Sequence, residues 1–261
     1  MKRICLFLLI VFLAASCSQN NNTTNTVMTS QQPDSTIGIS ASLSGMYIST
    51  AYLDALKETR STKKSQKFAN LSNAVISMID GQAFLSTYWN FHEGGETYPV
   101  QLTSDKKIVV LGPQNNEPVY TLKNINDSMI SLSDDKNEYI LTRYTSDTIL
   151  SSNEAIINSI LLPDTYELNG KKIIFSKTGK VEGIDSLLSY SFNTDYNDAG
   201  MDFDFVFLTF KKDSLPQQFG YTFTDKSFQI FSLKCKTADV TNNDMCLEHT
   251  KGPVVYNFIK K

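Results

Sequence analysis

Short apolar runs separated by polar turns set the strongest limit on what this 261-residue chain can fold into. In its first half they fall at 98–102, 108–111, 119–122, 129–132 and 139–144, a spacing of about ten residues that suits strands and is too tight for helices. Turn-forming stretches at 105–107, 113–118, 124–127 and 134–137 separate them. Asp80-Gly81, in the middle of an alternating stretch at 74–91, and Asn169-Gly170 read as two-residue hairpin loops, whose positions need positive φ. Gly94-Gly95 reads as a third, which sets Glu93 opposite Glu96. The pattern resumes at 165–168, 171–176, 180–182, 187–192, 201–211, 221–223, 227–234 and 254–259. The fold class is therefore all-β, an antiparallel meander that closes into one or two barrels, because open edges invite unwanted pairing.

Two helical patches interrupt the strands. Residues 50–60 put Tyr52, Leu53 and Leu56 on one side and Asp54, Lys57 and Glu58 on the other. Residues 152–162 open with an N-cap signature, carry Glu154 in the first turn and stop at Pro163. Each patch introduces a run of strands. The chain so divides near 145–153 into a half at 37–149 and a half at 150–261, which form either two small barrels or one larger unit.

The first 36 residues follow other rules. Lys2 and Arg3 precede ten apolar residues at 4–13, a run well short of the ~20 needed to span a bilayer. Leu13-Ala14-Ala15-Ser16-Cys17 resembles the lipobox of bacterial lipoproteins. That resemblance implies that residues 1–16 are a signal peptide and that Cys17 becomes the first residue, carrying acyl chains such as palmitate. It also implies a cell-envelope address. Ser18 follows the cysteine and no acidic retention residue does, which suggests the outer membrane. Residues 18–36 are nearly all Ser, Thr, Asn and Gln and read as a flexible tether. The acyl chains, and not the protein surface, then supply the membrane affinity.

Composition narrows the partners. Without Lys2 and Arg3, 22 basic side chains face 27 acidic ones, a charge of −5. The arginines are Arg3, Arg60 and Arg143, so bidentate phosphate clamps are scarce and nucleic acid is disfavoured. Cys5 leaves with the signal and Cys17 is acylated. Cys235 and Cys246 remain, and in an exported chain they read as a disulfide stapling two antiparallel strands across the Asn242-Asn243-Asp244 turn.

A second resemblance concerns the body of the chain. Leu43-Ser44-Gly45-Met46-Tyr47 is similar to the Gly-x-Trp opening of the lipocalins, with Tyr in place of Trp. Thr165-Tyr166-Glu167-Leu168, Ile173-Ile174-Phe175 and Thr178-Gly179-Lys180-Val181-Glu182-Gly183 resemble the opening strands of lipocalin-like lipoprotein domains. The resemblance implies a calycin-type barrel that holds a small apolar ligand or a protein partner.

Catalytic signatures are missing from the sequence. There is no nucleophile elbow, phosphate loop or dinucleotide fingerprint, and the histidines are His92 and His249. Phe91-His92-Glu93-Gly94-Gly95-Glu96 lacks the second His of a zinc motif. The acid-rich 193–204, with Asp195, Asp198, Asp202 and Asp204, breaks the calcium-loop template because Asp198 stands where that template needs Gly. These absences point away from an enzyme and call for no cofactor or metal. The aromatic content is the remaining resource. Tyr47, Tyr52 and Trp89 are candidates to line a ligand-holding lumen, with Arg60 and His92 as its polar groups. The sequence therefore predicts a lipid-anchored, exported binding protein. The alternative is a structural or assembly subunit of an envelope complex that works through its surface.

Overall fold

The computed structural model describes residues 41–91, 93–113, 116–144, 152–163, 165–197, 202–239 and 245–261, all within one compact unit. Cys17, the signal, the tether and His92 lie outside the described residues, as do Asp198 and residues 145–151 of the segment expected to part the halves, 145–153.

The fold is all-β, with three short α-helices and two eight-stranded antiparallel sheets among the described residues. The first sheet comprises β1 (Gly45–Ser49), β2 (Asn73–Ile79), β3 (Gln82–Tyr88), β4 (Thr97–Leu102), β5 (Ile108–Leu111), β6 (Pro118–Asn126), β7 (Met129–Ser133) and β8 (Glu138–Tyr144). It is a closed barrel in sequential order, sealed where β1 pairs β8 from Met46↔Tyr144 to Ser49↔Leu141. An up-and-down meander closed in this way removes every edge, and it is compatible with a calycin-like fold. Asp80 and Gly81 form the β2–β3 turn with φ of 49° and 80°, as the Asp-Gly pair requires. Alternate residues turn inward. Ala74, Ile76, Leu85, Val100, Val110, Leu122, Ile130, Leu132 and Leu141 fill the interior around Tyr47.

The second sheet comprises β9 (Tyr166–Leu168), β10 (Lys171–Phe175), β11 (Val181–Glu182), β12 (Leu187–Phe192), β13 (Phe205–Phe210), β14 (Gln217–Phe223), β15 (Ser227–Asp239) and β16 (Met245–Lys260). It too runs in sequential order, and its last strand returns to its first through Ile259↔Glu167 and Lys260↔Tyr166. Its seam lies between the short β11 and β12. A single bridge, Lys180↔Ser189, and the Tyr190 N–H donated to the Gly179 carbonyl at 2.7 Å cross that seam. The interior is aromatic: Tyr166, Phe175, Tyr190, Phe192, Tyr221, Phe228 and Phe258 are buried together, mostly edge to face.

Helix α1 (Thr50–Thr59) follows β1 directly. Ser49 caps it, accepting the Tyr52 N–H, and Arg60 ends it in the left-handed region at φ 50°. Its apolar side is the one the sequence predicts, but it faces the other barrel. Tyr52, Leu53 and Leu56, with Ile48 and Ala69, belong to the aromatic core of the second sheet. There they meet Ile156, Ile157 and Leu161 of α3 (Asn153–Leu161), which Ser152 caps. The helix α2 (Thr62–Ser65) was not expected from the sequence.

Three local expectations are corrected. Gly94-Gly95 is not the hairpin loop. Trp89 pairs with Glu93, so the turn falls earlier, where Asn90 and Phe91 take φ of 50° and 66°. The Phe91 ring anchors that earlier turn, packing 4.6 Å from the ring of Tyr52. Gly95 instead lies so close to the Thr87 carbonyl that a Cβ would overlap it. Glu93 therefore does not face Glu96. Second, Asp202 to Asp204 are not in a strand: the run expected from 201 begins its strand only at Phe205. Val206 and Leu208 face the core, while Phe205 is buried on the opposite side beneath Tyr196 and His249. Third, β15 and β16 run past the expected ends into a long arm.

Candidate functional site

The sheet order brings one end of the first barrel together from β1, β3, β4, β6 and β8. Trp89 and Tyr139 meet edge to face at 6.4 Å, and Tyr98 and Tyr120 do so at 6.3 Å. Two carboxylates attend the rings. Glu96 accepts the Tyr98 hydroxyl and Asp134 accepts that of Tyr139. Burial, then the hydrogen bond and charge of Glu96, push the Tyr98 phenol well above its ordinary value. Burial, then Tyr139, Asp134 and Glu96, raise that of Tyr120. These phenols are neutral hydroxyls over the whole physiological range. Asp134 itself is held below the usual carboxylate range by the backbone N–H groups of Lys136 and Asn137.

Beside this mouth, at the β1–β8 seam, lies an open groove of about 280 Å³. Phe68, Leu71, Tyr139, Ile140 and Ala51 give it apolar walls, and Ser49 and Asn70 add polar groups. Lys67 and Glu138 stand on its rim. Phe68 is 38% exposed, and the Lys67 ammonium lies 4.9 Å from its ring centre. The groove wall at 67–71 is fixed to the barrel. Ser49 Oγ donates to the Phe68 carbonyl at 3.1 Å, Asn90 N–H to the Ala69 carbonyl at 2.9 Å and Ser72 N–H to the Tyr88 carbonyl at 2.9 Å.

The five candidate ligand residues do not form one lumen. Tyr47 is buried in the first interior, its hydroxyl donating to the Leu43 carbonyl at 2.9 Å. Trp89 packs at the mouth of that barrel. Tyr52 is in the second core. Arg60 lies over the Phe223 ring at 3.9 Å and donates to the Leu161 carbonyl at 2.6 Å. His92 lies outside the described residues. Trp89 sets its ring against that of the groove residue Tyr139. Phe68, Leu71 and Tyr139 were missed because the groove is assembled from three separate segments.

The acid-rich stretch serves the fold. Asp202 takes His249, and Asp204 takes Ser61 and Lys63, so the two carboxylates diverge. No grouping of three or more His, Cys, Asp or Glu among the described residues could hold a metal ion. No helix among them is long and apolar enough to cross a membrane. The Cys235–Cys246 disulfide is formed, with Cα atoms 5.6 Å apart.

No family model matches this chain, and neither a curated protein nor a solved structure matches it.

Proposed function

We propose that this protein is an exported binding protein, anchored in the cell envelope by acyl chains on Cys17, and that it takes a small amphipathic ligand at the mouth of its first barrel. The groove of about 280 Å³ carries this reading. Its size approaches the lower end of small-molecule sites, roughly 300 Å³. Its walls are apolar, and its rim offers one cation, Lys67, and one anion, Glu138. A purely apolar ligand in the lumen is a poorer fit, because Tyr47, Leu85, Val110, Ile130 and Leu132 already fill that space. The aromatic mouth next to the groove supplies ring faces and hydroxyls to the same ligand.

The test is native mass spectrometry of the acylated protein taken from its own host, alongside the Phe68→Ser and Cys17→Ala variants. The expected result is a co-purified small molecule that Phe68→Ser loses, and release of Cys17→Ala from the membrane. Protein free of small molecules but bound to a stable protein partner would replace this reading with the assembly-subunit one. Membrane association unchanged in Cys17→Ala would remove the anchor.

A further inference from the structure

The wall of the groove is one end of a strap, residues 61–71, that joins the two barrels. Its other end is fastened to the second barrel. Ser61 Oγ donates to Asp204 Oδ2 at 2.6 Å, and the Lys63 N–H donates to Asp204 Oδ1 at 2.9 Å. Ser61 is also the N-cap of α2, accepting the Lys64 N–H at 3.0 Å. Thr62 is fully buried between two phenols. Its Oγ1 lies 2.6 Å from the Tyr196 hydroxyl and 2.9 Å from that of Tyr221, to which its N–H also donates at 3.1 Å. From this anchorage the chain runs through Ser65, buried, and the 3₁₀ turn Gln66–Phe68 to the groove residues Lys67, Phe68, Asn70 and Leu71.

We propose that Asp204 is a positioning residue for the groove: by holding Ser61 and Lys63 it sets where Phe68 and Leu71 stand against Tyr139. The inference rests on the groove being the ligand site. Asp204 reaches the groove only through the strap, so it touches no ligand. The first turn of α2 is short, and a four-residue helix has little stability of its own. Its geometry therefore depends on the Ser61 cap, which Asp204 holds, and on the same carboxylate's bond to the Lys63 N–H. With Asp204 in place the strap is held at both ends. Without it, the strap keeps its bonds to Ser49, Tyr88 and Asn90 at the groove end, but at the other end only those of Thr62 to Tyr196 and Tyr221 remain.

Trp89 reads this directly. It is the sole tryptophan, it touches Tyr139 at the groove, and its neighbour Asn90 is bonded to the strap at Ala69. The experiment compares the wild type with Asp204→Asn and Ser61→Ala by hydrogen exchange and Trp89 emission, in the full acylated chain without ligand. Tyr196→Phe, which removes one hydroxyl, serves if Asp204→Asn does not fold. The expected result is faster exchange at the amides of 63–71, by about tenfold for the loss of one hydrogen bond to a charged group, with a shifted Trp89 emission and unchanged exchange in β5–β7. Exchange at 63–71 as slow as in the wild type would overturn the proposal. Equal loosening of both barrels would do so as well, since Asp204 would then be a stability residue only. None of these measurements uses a ligand. A groove that binds nothing would therefore overturn the functional reading while leaving the strap result standing.

Discussion

Asp202 grips His249 twice: its Oδ2 accepts the His249 backbone N–H at 2.8 Å, and its Oδ1 lies 2.9 Å from Nδ1 of the ring. The pair ties the loop before β13 to the long arm made by the outer parts of β15 and β16. It also covers one position on the free edge of β16. That strand pairs β15 along its length but meets β9 only at Ile259 and Lys260. An uncovered edge of this length is a template for pairing with another chain. Pro253, the bulges in the β15–β16 ladder and the Asp202 carboxylate all interrupt it.

The clamp should weaken in acid. Burial raises the Asp202 carboxyl, but the backbone and ring bonds from His249 outweigh that effect and leave it below its ordinary value. A carboxyl with a depressed folded-state pKa contributes stability above its unfolded value of about 3.9 and loses it as pH falls further. The expected outcome is faster hydrogen exchange at 247–251 below about pH 4, the unfolded carboxyl value, and the same increase at neutral pH in Asp202→Asn. Equal exchange in the two proteins at neutral pH would show the clamp to be without effect.

Reducing the disulfide should lower stability measurably. Cys235 and Cys246 are 11 residues apart, and closing a loop of this size stabilises by roughly 2–3 kcal/mol in the chain-entropy model. Urea unfolding with and without a reductant should show a lower midpoint in the reduced protein. Cys235→Ser with Cys246→Ser should match the reduced form. Intact mass should show no free thiol at these two positions in the exported protein.

Much of this fold was legible in the sequence, and the reasons differ by element. The β2–β3 and β9–β10 turns were legible because Asp80-Gly81 and Asn169-Gly170 are among the few pairs that accept two positive φ angles in succession. Gly94-Gly95 misled because a glycine pair can serve a close backbone approach as well as a turn. What decided between them was tertiary, the packing of Phe91 on Tyr52. The apolar side of α1 was legible from its period, but period carries no information about which core receives it. The groove was not legible. Ser49, Phe68 and Tyr139 are far apart in the sequence and meet only because β1 closes on β8.

Leu56→Ala should damage the second barrel, although Leu56 belongs to the first half of the sequence. The side chain is fully buried in the core that includes Tyr166, Phe228 and Phe258. Large-to-small changes at such sites cost about 2–5 kcal/mol. Hydrogen exchange should rise in β9, β15 and β16 at least as much as in β1–β8. A change confined to the first barrel would contradict the shared core.

The buried phenols should make the protein fail in alkali. Burial, then the charge of Asp204, raises Tyr196, and burial keeps Tyr221 and Tyr190 well above their ordinary value. Each stays protonated in the folded protein where its unfolded counterpart ionises, so stability is intact below about pH 10 and falls as pH rises past it. Tyrosinate absorbance should therefore appear in two stages. The exposed phenols titrate first, and the buried ones ionise only with the loss of near-ultraviolet circular dichroism. A single smooth titration without unfolding would contradict this.

Tyr52→Phe should leave stability unchanged or increase it. The Tyr52 ring is fully buried against Phe91, yet its hydroxyl has no hydrogen-bond partner among the described residues. An unmet buried hydroxyl costs about 1–3 kcal/mol of desolvation, which the Phe variant avoids while keeping the ring contact. Tyr221→Phe is the contrasting case, because its hydroxyl is bonded to both the N–H and the Oγ1 of Thr62. Removing it leaves a buried donor unpaired and should cost about 1–3 kcal/mol. Urea midpoints of the two variants should thus move in opposite directions or, at the least, differ by more than about 1 kcal/mol in derived stability, a typical net hydrogen-bond contribution. A Tyr52→Phe protein as destabilised as Tyr221→Phe would mean that the Tyr52 hydroxyl is bonded after all, most simply to a water molecule inside the cluster of Thr62, Tyr196 and Asp204.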